Sequence, residues 1–335
     1  MKNTRKCMSA GAIAIMAALI LITGCVSFSK PAPQGKWSFI VVGDSRGKDD
    51  GINAKVVKRL VQEIAKEQPK FVLFPGDLIT GYSSREENIK MLLNWRSVVT
   101  DKLLESGIKV YPVRGNHELC KGDNPERLSA LAWHEVFSGK YALPADGPRN
   151  EEGLTYSFRY RDVLFLNLDS YVEENNINQQ WVDEQISGKK PLHIFAQTHE
   201  PLFSLEGAHQ GCLQIEPERR DKLVNSLVKA GSLIFFCGHD HWYDHCVVQT
   251  NGVQFRQFTI GTGGAPLTTS APGMKYKGVS NARNVAHSKC YGYAVVEIAG
   301  KSVKIKMKKL NDDGTTVVID EFSSGACKPT ILTIK

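Results

Sequence analysis

The chain has 335 residues, 42% of them hydrophobic and 23% charged, enough apolar side chain to bury a large core as one big α/β domain or two smaller ones. Its formal net charge of +7 includes Lys2, Arg5 and Lys6 of the amino-terminal segment, and without that segment it falls to +4. That modest balance, with no basic stripe interleaved with aromatics, argues against nucleic acid as a partner and leaves anionic substrates or an anionic membrane surface compatible.

In chain order, Lys2, Arg5 and Lys6 precede an apolar stretch from Ala10 to Ile22 that is too short and too lightly flanked for a membrane span. Residues 1–24 therefore predict a bacterial signal peptide. The stretch closes on Leu21-Ile22-Thr23-Gly24-Cys25, which resembles the lipobox of bacterial lipoproteins. The resemblance implies cleavage before Cys25 and a lipid on that residue, giving membrane attachment at the cell envelope, facing the periplasm or exterior. An ordinary signal peptide or a short anchor helix, with an incidental Cys25, is the plainer alternative. Residues 25–35, with Ser, Lys, Pro and Gln, form a tether, and 36–335 remain for the folded domain.

Trp37 to Val42 is an apolar run of strand length that ends at Gly43-Asp44-Ser45-Arg46. Gly51 to Glu67 follows with Ile52, Val56, Leu60, Val61 and Ile64 at helical spacing. Phe71 to Phe74 enters Gly76-Asp77, and Lys109 to Val113 enters Gly115-Asn116-His117-Glu118. From Glu118 to Arg161 the pattern loses clean periodicity, which predicts a long functional loop overhanging the site. Leu192 to Gln197 then enters Thr198-His199-Glu200-Pro201, and Leu233 to Cys237 enters Gly238-His239-Asp240-His241. A second loop is expected from Gly261 to Gly278, and strands over Tyr291 to Glu297, Val303 to Leu310 and Thr315 to Ile319. The Lys-rich run from Lys301 to Lys309 alternates with Val, Ile and Met, as the solvent face of a strand does.

Six cysteines lie beyond Cys25, namely Cys120, Cys212, Cys237, Cys246, Cys290 and Cys327. In an exported protein they permit disulfides whose pairing the sequence does not give. Cys237, inside an apolar run, also suits a buried thiol.

All five motifs fall at carboxyl ends of predicted strands, the edge where loops of an α/β sheet converge on a ligand. Together Asp44, Asp77, Asn116, His199, His239 and His241 supply oxygen and nitrogen donors suited to divalent Mn, Fe or Zn. If Asp77 is shared, the set serves two ions roughly 3.5–4 Å apart, which clamp a phosphate and supply a metal-bound hydroxide as nucleophile. His117, beside one of these donors, is placed to protonate the leaving-group oxygen.

The ordered motifs resemble those of the calcineurin-like metallophosphoesterases, Asp-x-His, Gly-Asp, Gly-Asn-His-Asp/Glu, a His, and Gly-His-x-His, over roughly Lys36 to Leu310. Tyr141-Ala142-Leu143-Pro144, Tyr156-Ser157-Phe158 and Leu168-Asp169-Ser170 look most like its purple-acid-phosphatase-like and cyclic-nucleotide-phosphodiesterase-like branches. The resemblance implies an α/β fold, a four-layer αββα sandwich of two mixed sheets. It puts Asp44 and His241 on a first ion, Asp77 between the ions, and Asn116, His199 and His239 on the second. His117 becomes the general acid, and Arg46, Asn116 and His209 are expected to meet a small phosphorylated substrate.

Two positions depart from the family pattern. Where the first motif usually ends in a His ligand, this chain has Arg46, which carries no lone pair for a metal. Pressed against a divalent ion it would meet repulsion of several kcal/mol even at an effective dielectric of ~20, so the guanidinium is expected to turn towards substrate phosphate. Thr80 stands where purple acid phosphatases place a Tyr ligand, and Tyr82 is out of register. Glu118, Glu200 and Asp240 suit supporting roles in the loops, His209 and His245 are within the segments that could touch substrate, and His134, His193 and His287 suit ordinary structural ones.

The expected function is metal-dependent hydrolysis of phosphate monoesters or diesters in an envelope-anchored lipoprotein. Its rival is a non-catalytic metal- or phosphate-binding lipoprotein with a single-metal site, the first-ion ligand having been lost at Arg46. A third possibility is an interaction module built on the 118–161 loop.

Overall fold

A computed structural model describes residues 35–173, 176–209, 213–268 and 275–324. The signal sequence, Cys25, nearly all of the tether, Cys212 and Cys327 lie outside the described residues. In chain order the elements are β1 (Trp37–Val41), β2 (Arg46–Asp49), α1 (Ala54–Lys66), β3 (Phe71–Pro75), α2 (Arg85–Val98), α3 (Thr100–Glu105), β4 (Lys109–Val113) and α4 (Pro125–Val136). There follow β5 (Tyr156–Tyr160), β6 (Val163–Asn167), α5 (Gln179–Ile186), β7 (His193–Gln197), α6 (Pro217–Ala230), β8 (Ile234–Cys237), β9 (Tyr243–Thr250) and β10 (Val253–Ile260). The last four strands are β11 (Ala282–Ser288), β12 (Gly292–Ala299), β13 (Ser302–Leu310) and β14 (Thr316–Ser324).

Two mixed sheets result, one of six strands in the order β14-β13-β12-β1-β3-β4 and one of seven in the order β11-β9-β10-β8-β7-β6-β5. The motif-bearing strands are parallel neighbours: β1 with β3 and β3 with β4 in one sheet, β7 with β8 in the other.

The strands are apolar on both faces because each face meets a different core. In β1, Trp37, Phe39 and Val41 enter the cluster between the sheets, while Ile40 joins the cluster under the outer helices. In β6, Val163 and Phe165 face the same central cluster and Leu164 and Leu166 the opposite helical layer. The period-two alternation of side chains thus divides one continuous apolar run between two cores. The central layer is aromatic, with Phe39 stacked on Phe71 at 5.4 Å and meeting Phe165 edge-on at 5.2 Å. Two mixed sheets between helical layers form the expected four-layer sandwich.

Helix α1 starts at Ala54 rather than Gly51 because Asn53 caps it, its side chain accepting from Val56 N at 3.4 Å. Val57, Leu60, Val61 and Ile64 form its buried stripe, each worth roughly 1.5–3 kcal/mol of burial. Ile52, expected on that stripe, is buried ahead of the helix in a bridge to Arg46 and Asp49.

The segment from Glu118 to Arg161 is not one long loop. Pro125–Val136 is helical, opened by Asn124 and Pro125, with Trp133 and Val136 buried in the helical-layer core. The helix packs on α2; it is part of the outer layer and not a cover on the site.

Strand β13 has the predicted solvent face: Val303, Ile305 and Met307 are buried, while Lys304 pairs with Glu321 at 2.6 Å and Lys306 with Glu297 at 3.1 Å. Cys120, Cys246 and Cys290 are buried free thiols. Cys237 is buried as well, its sulfur 3.3 Å from Thr259 Oγ1. No helix among the described residues is long and apolar enough to cross a membrane.

Candidate metal centre

The five motifs leave β1, β3, β4, β7 and β8 at their carboxyl ends, and the sheets bring those ends together. Backbone bonds tie the loops to one another: Asp44 N donates to Gly76 O at 3.0 Å, Ser45 N to Asp77 O at 2.9 Å, and Gly238 N to His199 O at 2.9 Å. Two glycines make the approach possible. A Cβ on Gly76, whose φ is +79°, would stand 2.5 Å from His199 Nδ1, and one on Gly115 would stand 2.2 Å from Asp77 Oδ1.

Three of the candidate ligands are held in the left-handed region, Asp44 at φ +62°, Asp77 at +52° and His239 at +70°. A non-glycine residue there costs on the order of 1–3 kcal/mol, and such strain collects where surrounding structure fixes a functional geometry.

One half of the centre is tightly converged. His199 Nε2 lies 3.1 Å from Asn116 Oδ1 and 3.2 Å from Asp77 Oδ1, and His239 Nδ1 lies 3.1 Å from Asn116 Oδ1 and 3.0 Å from His199 Nε2. His199 Nδ1 donates to Pro75 O at 2.9 Å, which leaves the Nε2 lone pair facing the cluster. A divalent ion held by these four residues would satisfy all four atoms together, with the His239 proton then on Nε2, a buried atom with no hydrogen-bond partner among the described residues. The separations suit the edges of a shell with ligands at ~2.0–2.2 Å. Burial holds both rings neutral, pulling His199 down to about 3 and His239 well below the ordinary imidazole value.

The other half is looser and contains a cation of its own. Asp44 Oδ1 is 3.6 Å from His241 Nε2, and His241 Nδ1 donates to Pro266 O at 2.9 Å. Arg46 NH2 lies 3.4 Å from His241 Nε2, and Arg46 Nε lies 3.6 Å from Asp77 Oδ2. The guanidinium, expected to turn towards substrate, lies against two candidate ligands, whose charge and lone pair are within its reach. Burial, then the charge of Arg46, take His241 down to about 3. Burial, then the neighbouring Asp77, push the Asp44 carboxyl well above the usual carboxylate range. Asp44, Asp77 and His199 together present ligand atoms within 4.8 Å of one another.

His117 sits at the rim. Its Nδ1 donates to Thr80 O at 2.5 Å, and its Nε2 faces Asp77 Oδ2 at 3.9 Å. Tyr82, set aside as a ligand by its register, nevertheless reaches the site: its ring packs on His117 at 4.7 Å and its hydroxyl meets Asn116 Nδ2 at 2.5 Å. His209 joins as well, with its ring 4.8 Å from that of His239 and 5.1 Å from that of His241. Asp240 holds it there, accepting from the His209 backbone N at 3.0 Å and lying 3.2 Å from Nδ1.

His245 is not brought to the site. It is buried against Phe258, with Nδ1 2.9 Å from Asp320 Oδ2 and Nε2 3.1 Å from Arg256 NH1. His134 and His193 bind the carbonyls of Glu152 and Gly300, and His287 packs on Trp242 at 5.2 Å.

Sequence reasoning missed Arg114. It precedes Gly115 and forms a buried two-point pair with Asp169, Nε to Oδ2 at 2.6 Å and NH2 to Oδ1 at 3.0 Å, while NH1 donates to Ser129 Oγ of α4 at 2.7 Å. Nothing in a single sequence pairs positions so far apart.

A family model described as calcineurin-like phosphoesterase matches residues 37–243. The chain belongs to the calcineurin-like phosphoesterase family. Uncharacterized metallophosphoesterase YhaO of Bacillus subtilis is 23% identical over 259 residues, covering 76% of this chain and 52% of its own length. Purple acid phosphatase 23 of Arabidopsis thaliana is 26% identical over 146 residues, 42% of this chain and 30% of its own. The chain thus spans about half or less of these curated relatives. The solved purple acid phosphatase PPD1 of yellow lupin, Lupinus luteus, superposes with a TM-score of 0.66 at 17% identity, over 88% of this chain and 55% of that one. That likeness is one of fold. Within this calcineurin-like phosphoesterase the tightly converged half fits a divalent ion, and in the other half Arg46 lies against His241 and Asp77.

Proposed function

We propose that this chain hydrolyses phosphate esters, monoesters or diesters, at the bacterial cell envelope, held there by a lipid on Cys25. The observation that carries the chemistry is the convergence of Asp77, Asn116, His199 and His239 within 3.0–3.2 Å contacts, with His117 alongside. An ion held by those four residues supplies Lewis acidity to phosphoryl oxygens and activates water.

The remaining steps fall to side chains. His117, oriented through Nδ1 by Thr80 O, offers an Nε2 proton to the leaving oxygen when charged. The Arg46 side chain, 22% exposed and lying against Asp77, adds positive charge beside the ion-binding half, where a phosphate would meet it. His209, fixed by Asp240, adds a donor on the outer side. The anchor is supported by the lipobox-like Leu21 to Cys25.

Purified protein loaded with Mn is expected to hydrolyse aryl phosphates, and Asp77→Asn and His117→Ala are each expected to lower turnover at least ~100-fold. Unchanged turnover in both variants would defeat the proposal. The place of Arg46 against Asp77 and His241 favours one second reading, a non-catalytic phosphate- or metal-binding lipoprotein, which requires metal uptake without turnover on a panel of phosphate esters.

A further inference from the structure

The two halves of the centre are neutralised by different means. Around Asn116 the converging atoms are the carboxylate, amide and imidazole acceptors Asp77 Oδ1, Asn116 Oδ1, His199 Nε2 and His239 Nδ1. Around Asp44 the positive partner is already covalently present. His241, its Nδ1–H held by Pro266 O, aims the Nε2 lone pair at Arg46 NH2 at 3.4 Å, while Arg46 Nε faces Asp77 Oδ2 at 3.6 Å. The guanidinium spans the imidazole and the shared carboxylate that a first ion would have to bind.

We infer that this chain binds one divalent ion, in the Asp77–Asn116–His199–His239 half, and that Arg46 is the built-in cation occupying the place of the other ion. The inference rests on the site being a metal centre, as the proposed function does, but not on hydrolysis.

Three features support it. Arg46 has five N–H donors and no acceptor, so it withdraws a ligand while adding a charge that repels any ion placed there. Its position is fixed by the fold: Asp44 and Ser45, just before it, bond to Gly76 O and Asp77 O, and Arg46 opens β2 with a backbone bridge to Ile52. The guanidinium also meets the shared carboxylate directly, Nε to Asp77 Oδ2 at 3.6 Å, so that buried side chain has a positive partner without a second ion.

The test is metal counting on the folded mature chain. Apo-protein would be saturated with Mn, freed of loosely held metal by desalting, and assayed by elemental analysis and by electron paramagnetic resonance. One Mn per chain with the spectrum of an isolated ion is expected. Arg46→His, which removes the charge and restores a donor, is expected to take two Mn and to show the exchange-coupled spectrum of an ion pair. Arg46→Gln, whose amide oxygen also ligates, serves if the first variant does not fold. Two ions in the wild type overturn the inference, as do folded Arg46→His and Arg46→Gln proteins that still take one. A wild type with one ion and no turnover leaves it standing and defeats the proposed hydrolysis, whereas two ions with turnover do the reverse.

Discussion

Glu118 accepts a hydrogen bond from the backbone nitrogen of Asp77 at 3.1 Å, although the two belong to different motifs and follow different strands. The same carboxylate also accepts from Leu78 N at 2.9 Å, Ile79 N at 3.2 Å and Gly115 N at 2.6 Å. It therefore ties the loop that carries Asp77 to the loop that carries Asn116. Burial, then the charge of Asp77, push its own carboxyl well above the carboxylate range, and the N–H groups of Gly115, Ile79 and Leu78 oppose that push.

Glu118→Ala leaves several buried N–H groups without an acceptor, each worth ~1–3 kcal/mol. A loss of ~3–5 kcal/mol in urea unfolding is expected, together with at least a tenfold weaker Mn affinity by titration calorimetry. Wild-type affinity in the variant would show that Glu118 does not position Asp77.

For His117 the sign follows from its role. Burial lowers its pKa from the ordinary 6.5, and the charge of Asp77 opposes that shift. A cation bound at Asp77 removes the opposition and lowers it further. The acid form is thus lost as pH rises through a value below 6.5, and hydrolysis should decline there. A pH series of kcat/KM from 4 to 8 is expected to show that decline in the wild type and to lack it in His117→Ala. A decline centred above pH 7 would remove His117 from the role of acid.

The Arg114–Asp169 pair is almost wholly buried, with side chains 1% and 0% exposed. Removing one partner strands a charge, so Arg114→Ala or Asp169→Ala alone should cost ~3–5 kcal/mol. The double variant Arg114→Met, Asp169→Leu should recover part of that loss. Thermal unfolding of the set as a double-mutant cycle checks it, and simple additivity would argue against coupling.

If Cys25 carries a lipid, Cys25→Ser should release the protein from the membrane fraction of a bacterial expression host and abolish incorporation of a labelled fatty acid. Equal membrane retention in the variant points to an uncleaved anchor helix instead.

The predicted strands ending at the five motifs match β1, β3, β4, β7 and β8 to within a residue or so, because apolar runs flanked by Gly-Asp or Gly-His mark a strand leaving a two-sided core. Helices α2 and α4 were not legible. The first buries only Asn88, Leu92 and Trp95 along a largely polar surface, too sparse a stripe to see. The second was marked by Asn124-Pro125, a start signal hidden inside an irregular stretch.

By itself the sequence determined the kind of chemistry: which donors exist, that they follow strands, and that Arg46 brings charge where a ligand is due. Those follow from side-chain valence and from a two-residue period, which are local properties. Only the tertiary structure decided that Asp77 is held by Glu118, that His209 and Tyr82 reach the site while His245 does not, and that Arg46 lies on Asp77 and His241. These relationships depend on strand order, on register and on the left-handed backbone at Asp44, Asp77 and His239, and they exist only once residues distant in the chain pack against one another.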